Sequence, residues 1–480
     1  MDTAKPFPDD IFRGYDIRGL VDTELTVDLY ERFGRAYAVY LSRLRIRDAV
    51  VGADCRYSSP GYKEAFIKGL LESGINVYDI GMTLTQIFYF AQYHFLAKGG
   101  AMITASHNPK EYNGLKIARG YSETMETEEI MEFKEIVKSG VTITGKEKGT
   151  YIEEDVFPYY KKDILKLFPE KFNFRIVIDT SKGTGGKFFP EIMREAGCEV
   201  VESNTDIDPY FSLGAPDPTD ERIQRRLAGL VLEHKTDLGF SYDGDGDRMG
   251  IVDEKGGLIW NDVLVSIFAK DLLEYIPKTK IIYNVLCSKQ ATDVILESGG
   301  IPIMWKVGHS FIKAKVKEER AYFGGELSGH FFFMDNFYGH DDSVIASLRI
   351  LDYLRRKQQT LSEVVGSLPH YFSSPEIKVD CADAVKFNVV DNEIARAVVA
   401  LYPDAKKITI EGIRVETDDS MIVVRASQNG PYITVKFEAR TKEGYDIVRK
   451  QVIEVLKGCP EVDVTKGDNI PALLEGLQDT

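Results

Sequence analysis

The chain has 480 residues, of which 28% are charged and 44% hydrophobic, with a formal net charge of -15 at pH 7. That length is too great for one core and predicts three or four domains. The acidic balance argues against a nucleic-acid partner, because a phosphate backbone calls for basic faces. No apolar run approaches the ~20 residues of a membrane helix, and Met1 to Phe12 lacks the apolar core of a signal peptide. Cys55, Cys198, Cys287, Cys381 and Cys459 lie far apart with no C-x-x-C pair, which suits a reducing cytoplasm.

A repeat organises the first two-thirds of the chain. Leu70 to Val77, Met193 to Val200 and Ile295 to Pro302 each read as a helix end, a glycine stop and a new strand, at spacings of about 100 to 120 residues. Each follows a β-rich run that ends in a loop: Ala49 to Asp54, Arg175 to Asp179 and Lys280 to Val285. Three related α/β domains are predicted, with the chemistry in loops leaving the carboxyl ends of the strands. The last part differs: Ala384 to Leu401 has helical periodicity, Lys407 to Ala439 gives short strands and Gly444 to Leu456 is a helix. The predicted fold is therefore α/β, with three related domains at 1–148, 149–256 and 257–368 and an α+β domain at 369–480. Linkers are placed near Thr144 to Thr150, Glu254 to Gly257 and Ser367 to Pro375.

In chain order, the first motif is the small, apolar strand Gly99 to Ala105, which presents Ser106-His107-Asn108-Pro109 at its end. An ordinary turn is one reading. A hydrolase triad is disfavoured, because His107 is the adjacent residue and no G-x-S-x-G elbow exists. A serine that carries a phosphoryl group near a cation is the third reading. Asn113-Gly114 reads as a turn that brings Lys116 back toward Ser106, where a lysine near other cations could have a lowered pKa and move protons. Ser181 to Lys187 follows a strand but fails the phosphate-loop test at Phe188, and is taken as a structural turn.

Asp243-Gly244-Asp245-Gly246-Asp247-Arg248 holds three carboxylates at alternate positions in a tight loop between two strands. Like charges so close either raise one another's pKa or gather round a positive ion, and an all-oxygen set favours Mg²⁺ or Ca²⁺, with a solvated acidic hairpin as the plain alternative. An EF-hand fails where Arg248 replaces the needed glycine. An aspartyl-phosphate loop is a further alternative, less suited by the third carboxylate, Asp247. Later, Val307 to Lys313 begins a helix with free N–H groups. Gly324 to His330 lets Glu326, Ser328 and His330 converge as two sugar hydroxyls would require, or forms a plain glycine-rich turn. Arg425 to Pro431 follows a strand and offers donors for a phosphate, or is a plain hairpin.

Together with Phe12-Arg13-Gly14-Tyr15-Asp16-Ile17-Arg18-Gly19, these motifs resemble the α-D-phosphohexomutase superfamily, most closely its bacterial phosphomannomutase/phosphoglucomutase branch. The resemblance covers nearly the whole chain in order. It implies a reversible shift of phosphate between C1 and C6 of a hexose, through a hexose 1,6-bisphosphate. Carried over, Ser106 is the phosphoserine and, with Asp243, Asp245 and Asp247, binds Mg²⁺. Lys116, Arg18, Arg248 and His330 complete the catalytic set. Tyr15, His309, Glu326 and Ser328 meet the sugar, while Arg425, Ser427, Gln428 and Asn429 hold the phosphate that is not reacting. The implied partners are small sugar phosphates, for a cytoplasmic monomer or homodimer. An aspartyl-phosphate sugar phosphatase and phosphoglucosamine mutase specificity are the alternatives; Leu327 favours glucose and mannose. The branch often has Asn-Thr where this chain has Gln428-Asn429-Gly430, and a basic residue where it has Leu286, for which Lys289 is the nearest substitute.

Overall fold

The computed structural model describes residues 7–143, 145, 147–428 and 430–474, so Thr144 and Lys146 of the first expected linker, and Asn429, lie outside the described residues. The chain divides into two compact units, one of residues 1–218, 233–249 and 336–352, the other of residues 219–232, 250–335 and 353–480.

Among its described residues the first unit contains the strands β1 (Ile17–Leu20), β2 (Asp48–Ala53), β3 (Asn76–Met82), β4 (Gly99–Ile103), β5 (Tyr112–Gly120), β6 (Glu123–Thr124), β7 (Tyr151–Glu153), β8 (Arg175–Asp179), β9 (Glu199–Ser203) and β10 (Leu238–Tyr242). One mixed sheet runs β1-β5-β4-β2-β3-β7, with β6 beside β5. Its centre, β4-β2-β3-β7, is parallel, while β5 returns antiparallel to both β4 and β1. Asn113-Gly114, expected as a turn, instead lies within β5, because both residues pair with β1. Strand β7 pairs with β3, so the first sheet continues past residue 148. Strands β10, β8 and β9 form a second, parallel set.

The helix Val27–Arg43 begins where the Thr26 side chain accepts the Leu29 N–H, and it buries Leu29, Tyr30, Phe33, Tyr37 and Leu41 against the first sheet's core. Tyr30 stacks on Tyr62 of the next helix at 4.2 Å between ring centres. The three repeats end as the sequence predicts. Helices stop at Glu72, Glu195 and Glu297, and Gly74, Gly197 and Gly299 follow at φ +83°, +101° and +78°. A left-handed residue there closes the helix, and glycine adopts it without steric cost.

Next along the chain is a hairpin of β11 (Met249–Asp253) and β12 (Leu258–Ile259). Glu254 to Gly257, expected as a linker, is the turn of that hairpin, held by the Asp253 carboxylate accepting the N–H groups of Lys255 and Gly257. The third sheet runs β14 (Ile301–Trp305), β13 (Lys280–Asn284), β15 (Phe323–Gly325), β16 (Phe331–Phe333). It is parallel except for β16, which turns back on β15.

The C-terminal sheet is antiparallel. It comprises β17 (Phe372–Ser373), β18 (Ile377–Cys381), β19 (Lys406–Ile408), β20 (Ile413–Glu416), β21 (Ser420–Ala426), β22 (Tyr432–Ala439) and β23 (Val462–Asp468). Its core includes Ile377, Val415, Ile422, Val435 and Phe437, with Val448 and Val452 of the helix Lys442–Lys457 packed on it. The fold is thus three α/β domains and a fourth, sheet-rich one. All five cysteines are free and buried. Among the described residues no helix is long and apolar enough to cross a membrane.

Buried Asp342 gives the first unit a pH signature. Its Oδ2 accepts the Tyr160 hydroxyl at 2.9 Å and its Oδ1 the Ile345 N–H at 2.9 Å. Burial, reinforced by the Asp341 charge, pushes its carboxyl up to about 7. The native state then keeps a proton that the unfolded chain releases near pH 4. This group's contribution therefore declines as pH rises from about 4 to about 7, by an amount on the order of a few kcal/mol. Asp342→Asn should remove that slope. Melting temperatures of the two proteins from pH 5 to 8 should converge or cross toward high pH, and parallel curves would refute the assignment.

Candidate active site

Strand β4 ends at Ile103, and the chain turns so that Ser106 sits at φ +47°, a region that side chains other than glycine rarely occupy. Its N–H donates to the Thr104 hydroxyl at 2.9 Å, and its own hydroxyl donates to Asp243 Oδ2 at 2.6 Å. Position 243 lies just beyond β10, at the carboxyl end of a parallel strand, where an α/β sheet places its reactive loops. Gly244 permits the approach: a Cβ there would stand 2.5 Å from the Ser106 carbonyl oxygen. Gly246 adopts φ +77°, and its carbonyl accepts from Gln86 and Ser343. Behind the loop, the turn at Ser181 to Lys187 has the structural role expected of it, with the Thr184 N–H donating to the Gly244 carbonyl at 3.0 Å.

Asp243, Asp245 and Asp247 are all fully buried, and each offers an oxygen within 4.8 Å of the others'. Lys116, on β5 opposite Met102, donates to Asp245 Oδ2 at 2.9 Å and Asp247 Oδ2 at 2.5 Å. Asp245 Oδ2 also accepts from Thr85 and Thr104, while its Oδ1 is buried with no hydrogen-bond partner among the described residues. Burial and the two neighbouring carboxylates push the Asp243 carboxyl far up. Burial would raise Asp245 too, but the Lys116 ammonium and the Thr85 hydroxyl hold it well below the ordinary range. Three buried acids within reach of one another, an unsatisfied oxygen and an all-oxygen donor set fit a hard divalent cation.

Lys116 differs from expectation. Burial alone would favour its neutral form, but the Asp245, Asp247 and Asp16 charges outweigh that and raise its pKa where a lowered one was expected. Arg248 donates its backbone N–H to Asp243 Oδ1 at 3.2 Å. Although burial opposes it, the Asp217, Asp243 and Asp247 charges raise its guanidinium's pKa. Arg18 donates to Asp16 at 3.0 Å and to the Asn108 side chain at 3.2 Å, and Tyr15 is buried nearby in sequence.

In the second unit, the β15–β16 hairpin carries Glu326, Ser328 and His330. Glu326 Oε1 accepts the Gly308 N–H at 2.8 Å and the Asn284 amide at 3.2 Å, and its Oε2 accepts the Ser328 hydroxyl at 3.4 Å. His309 opens the helix His309–Glu319, and its ring centre lies 5.3 Å from that of His330. Arg425 is the penultimate residue of β21, and its Nη2 donates to Glu411 Oε1 at 2.8 Å, where Gln428 also reaches at 3.5 Å. Ser427 accepts the Gly430 N–H.

Glu411 and Asn284 escaped the sequence reading, since neither stands in a recognisable motif. Glu411 Oε2 accepts the Val307 N–H, so consecutive N–H groups of one turn tie the phosphate-loop candidates to the sugar-loop candidates. Lys289 does not replace a basic residue at Leu286: Leu286 is buried, and the Lys289 ammonium is held by Asp293 at 3.0 Å. The preceding turn is pinned from the C-terminal sheet. Arg414 donates to the Val285 and Cys287 carbonyls, and Asp262 accepts both Lys436 and the Ser288 N–H.

The scaffold and the first unit's cluster define a multidomain α/β protein whose buried carboxylates could hold a metal ion beside a loop-tip hydroxyl. The descriptions "Phosphoglucomutase/phosphomannomutase, alpha/beta/alpha domain I", "II" and "III" match residues 9–142, 159–257 and 260–372. The chain is 35% identical to the phosphomannomutase/phosphoglucomutase of Pseudomonas syringae pv. tomato, over 96% of this chain and 98% of that protein. It is 34% identical to the phosphoglucomutase of Neisseria meningitidis serogroup A, over 94% and 98%. The crystal structure of a phosphoglucomutase/phosphomannomutase family protein from Burkholderia thailandensis superposes with a TM-score of 0.85 at 31% identity, covering 95% of this chain and 98% of that one. The chain belongs to the phosphoglucomutase/phosphomannomutase family of the α-D-phosphohexomutase superfamily.

Proposed function

We propose that this chain is a phosphohexose mutase that interconverts the 1-phosphates and 6-phosphates of mannose and glucose in the cytoplasm, with Ser106 as phosphoryl carrier. The observation that carries the reading is the 2.6 Å bond from the Ser106 hydroxyl into the buried aspartate cluster. Relatives at 34–35% identity over nearly the whole chain that are named for glucose and mannose support the substrate class.

In the first half-reaction, the phosphoryl on Ser106 Oγ passes to the free C6 or C1 hydroxyl of the bound sugar phosphate. The Oγ–P bond breaks, the new sugar O–P bond forms, and the sugar hydroxyl gives up its proton. The hexose 1,6-bisphosphate then turns over and returns its other phosphoryl to Ser106. Asp243, Asp245 and Asp247, with a phosphoserine oxygen, would hold Mg²⁺, which supplies charge withdrawal from the phosphoryl oxygens when bound. Lys116 and Arg248 balance the excess negative charge as phosphoryl moves, and Arg18 steadies the Ser106 loop through Asn108.

Glu326, with Ser328 and His309, offers the acceptor and donor pair that vicinal sugar hydroxyls need, and His330 is the group assigned to carry the proton. Arg425, Ser427, Gln428 and Asn429 are assigned to the phosphate that is not reacting. A remote phosphate grip serves either orientation of the sugar, so one site can run both half-reactions.

The test is a panel of glucose, mannose, glucosamine and N-acetylglucosamine 1-phosphates, each with Mg²⁺ and a trace of glucose 1,6-bisphosphate. Glucose and mannose should be converted to their 6-phosphates, with kcat/KM at least about 10-fold above the amino sugars. Release of inorganic phosphate without isomerisation would point to a phosphatase, and no conversion of any sugar would end the proposal.

A further inference from the structure

Asp54-Cys55-Arg56 follows β2 on the side where the Ser106 loop leaves β4, and Arg56 is fully buried. A guanidinium has five N–H donors in a rigid planar fork. All five are used here. Nε donates to Asp54 Oδ2 at 3.1 Å, Nη1 to the carbonyls of Pro109 at 2.8 Å and Tyr112 at 3.2 Å, and Nη2 to the carbonyls of Ser106 at 2.8 Å and Asn108 at 2.7 Å. Four of the five bonds thus go to backbone carbonyls in the single stretch from 106 to 112. Asp54 is itself fixed, its Oδ1 accepting the Ser59 hydroxyl at 2.6 Å and the Arg56 N–H at 3.0 Å. The ring of Phe211 covers the guanidinium at 4.7 Å.

We propose that Arg56 is a positioning residue for phosphoryl transfer, the template that holds Ser106 in its left-handed conformation with Oγ aimed at the aspartate cluster. The inference rests on Ser106 being the phosphoryl carrier. A serine at φ +47° keeps that conformation only where its surroundings over-determine it. Arg56 grips its carbonyl, Thr104 its N–H and Asp243 its hydroxyl. Of the three, only Arg56 also binds the residues that follow, so it sets the whole loop and not the serine alone. Lysine cannot replace it: one ammonium on a flexible stem reaches two or three of these acceptors, not a planar set of five.

The experiment compares wild type with Arg56→Lys in three measurements: the single-turnover rate at which glucose 1,6-bisphosphate phosphorylates Ser106, read by intact mass; kcat and KM for glucose 1-phosphate; and the melting temperature. The phosphorylation rate and kcat should fall together by about 10²-fold, with KM changed less than about threefold. A rate and kcat per folded molecule equal to wild type, with only the melting temperature lowered, would reduce Arg56 to a structural residue and overturn the proposal. If Arg56→Lys does not fold, Asp54→Asn keeps every guanidinium donor but loosens the fork. It should slow Ser106 phosphorylation about 10-fold at unchanged KM, and an unchanged rate there overturns the proposal as well. Failure of the mutase reading looks different: the wild-type protein would take no phosphate on Ser106 at all.

Discussion

Ser106→Ala is expected to lower turnover of glucose 1-phosphate by at least about 10⁴-fold while leaving sugar-phosphate binding within a few-fold of wild type. The hydroxyl is the group that gains and loses the phosphoryl, so its removal deletes a covalent step and not a binding contact. Intact mass after incubation with glucose 1,6-bisphosphate gives the direct reading: wild type should gain one acid-stable phosphate on Ser106 and the variant none. A labelled variant, or phosphate found as an acyl phosphate on Asp243, would transfer the role from the serine to the aspartate.

Lys116→Met should have the second largest effect, on both stability and rate. Lys116 hydrogen-bonds both Asp245 and Asp247, and all three side chains are buried. Removing one partner of a buried ion pair typically costs about 3–5 kcal/mol, because the remaining charges lose their compensation. A divalent cation supplies the same compensation, so the loss should be largest in EDTA. Added Mg²⁺ should raise the variant's melting temperature by more than it raises that of wild type. Turnover should fall by about 10²-fold or more even at saturating Mg²⁺, because a fixed positive charge beside the reacting phosphoryl is gone. Equal Mg²⁺ responses in the two proteins would show that the lysine and the cation do not share the aspartates.

The three-fold repeat was legible because helix ends are local. Gly74, Gly197 and Gly299 each follow a periodic apolar segment and precede a β-rich one, and their left-handed φ values reflect what such a stop requires of any chain. The aspartate loop was legible for a similar reason: carboxylates at alternate positions between glycines are close whatever the rest of the fold does. One local reading went astray where a distant partner intervened. Asn113-Gly114 is a strong turn dipeptide, yet pairing with β1 extends it into a strand.

By itself the sequence determined the class of fold, the order of its domains, the serine loop, the three aspartates and the family to which they belong, because each is written in a short run of neighbouring residues. Only the tertiary structure decided what those groups meet. Despite its burial, Lys116 has a raised pKa and not the lowered one expected, because Asp245 and Asp247, more than 120 residues further along the chain, fold against it. Arg56 carries no motif beyond an ordinary acid-x-arginine, and its importance follows from carbonyls some 50 residues away that converge on its five donors. Charge and hydrogen-bond geometry depend on distance in space, and distance along the chain does not specify it until the strands have paired.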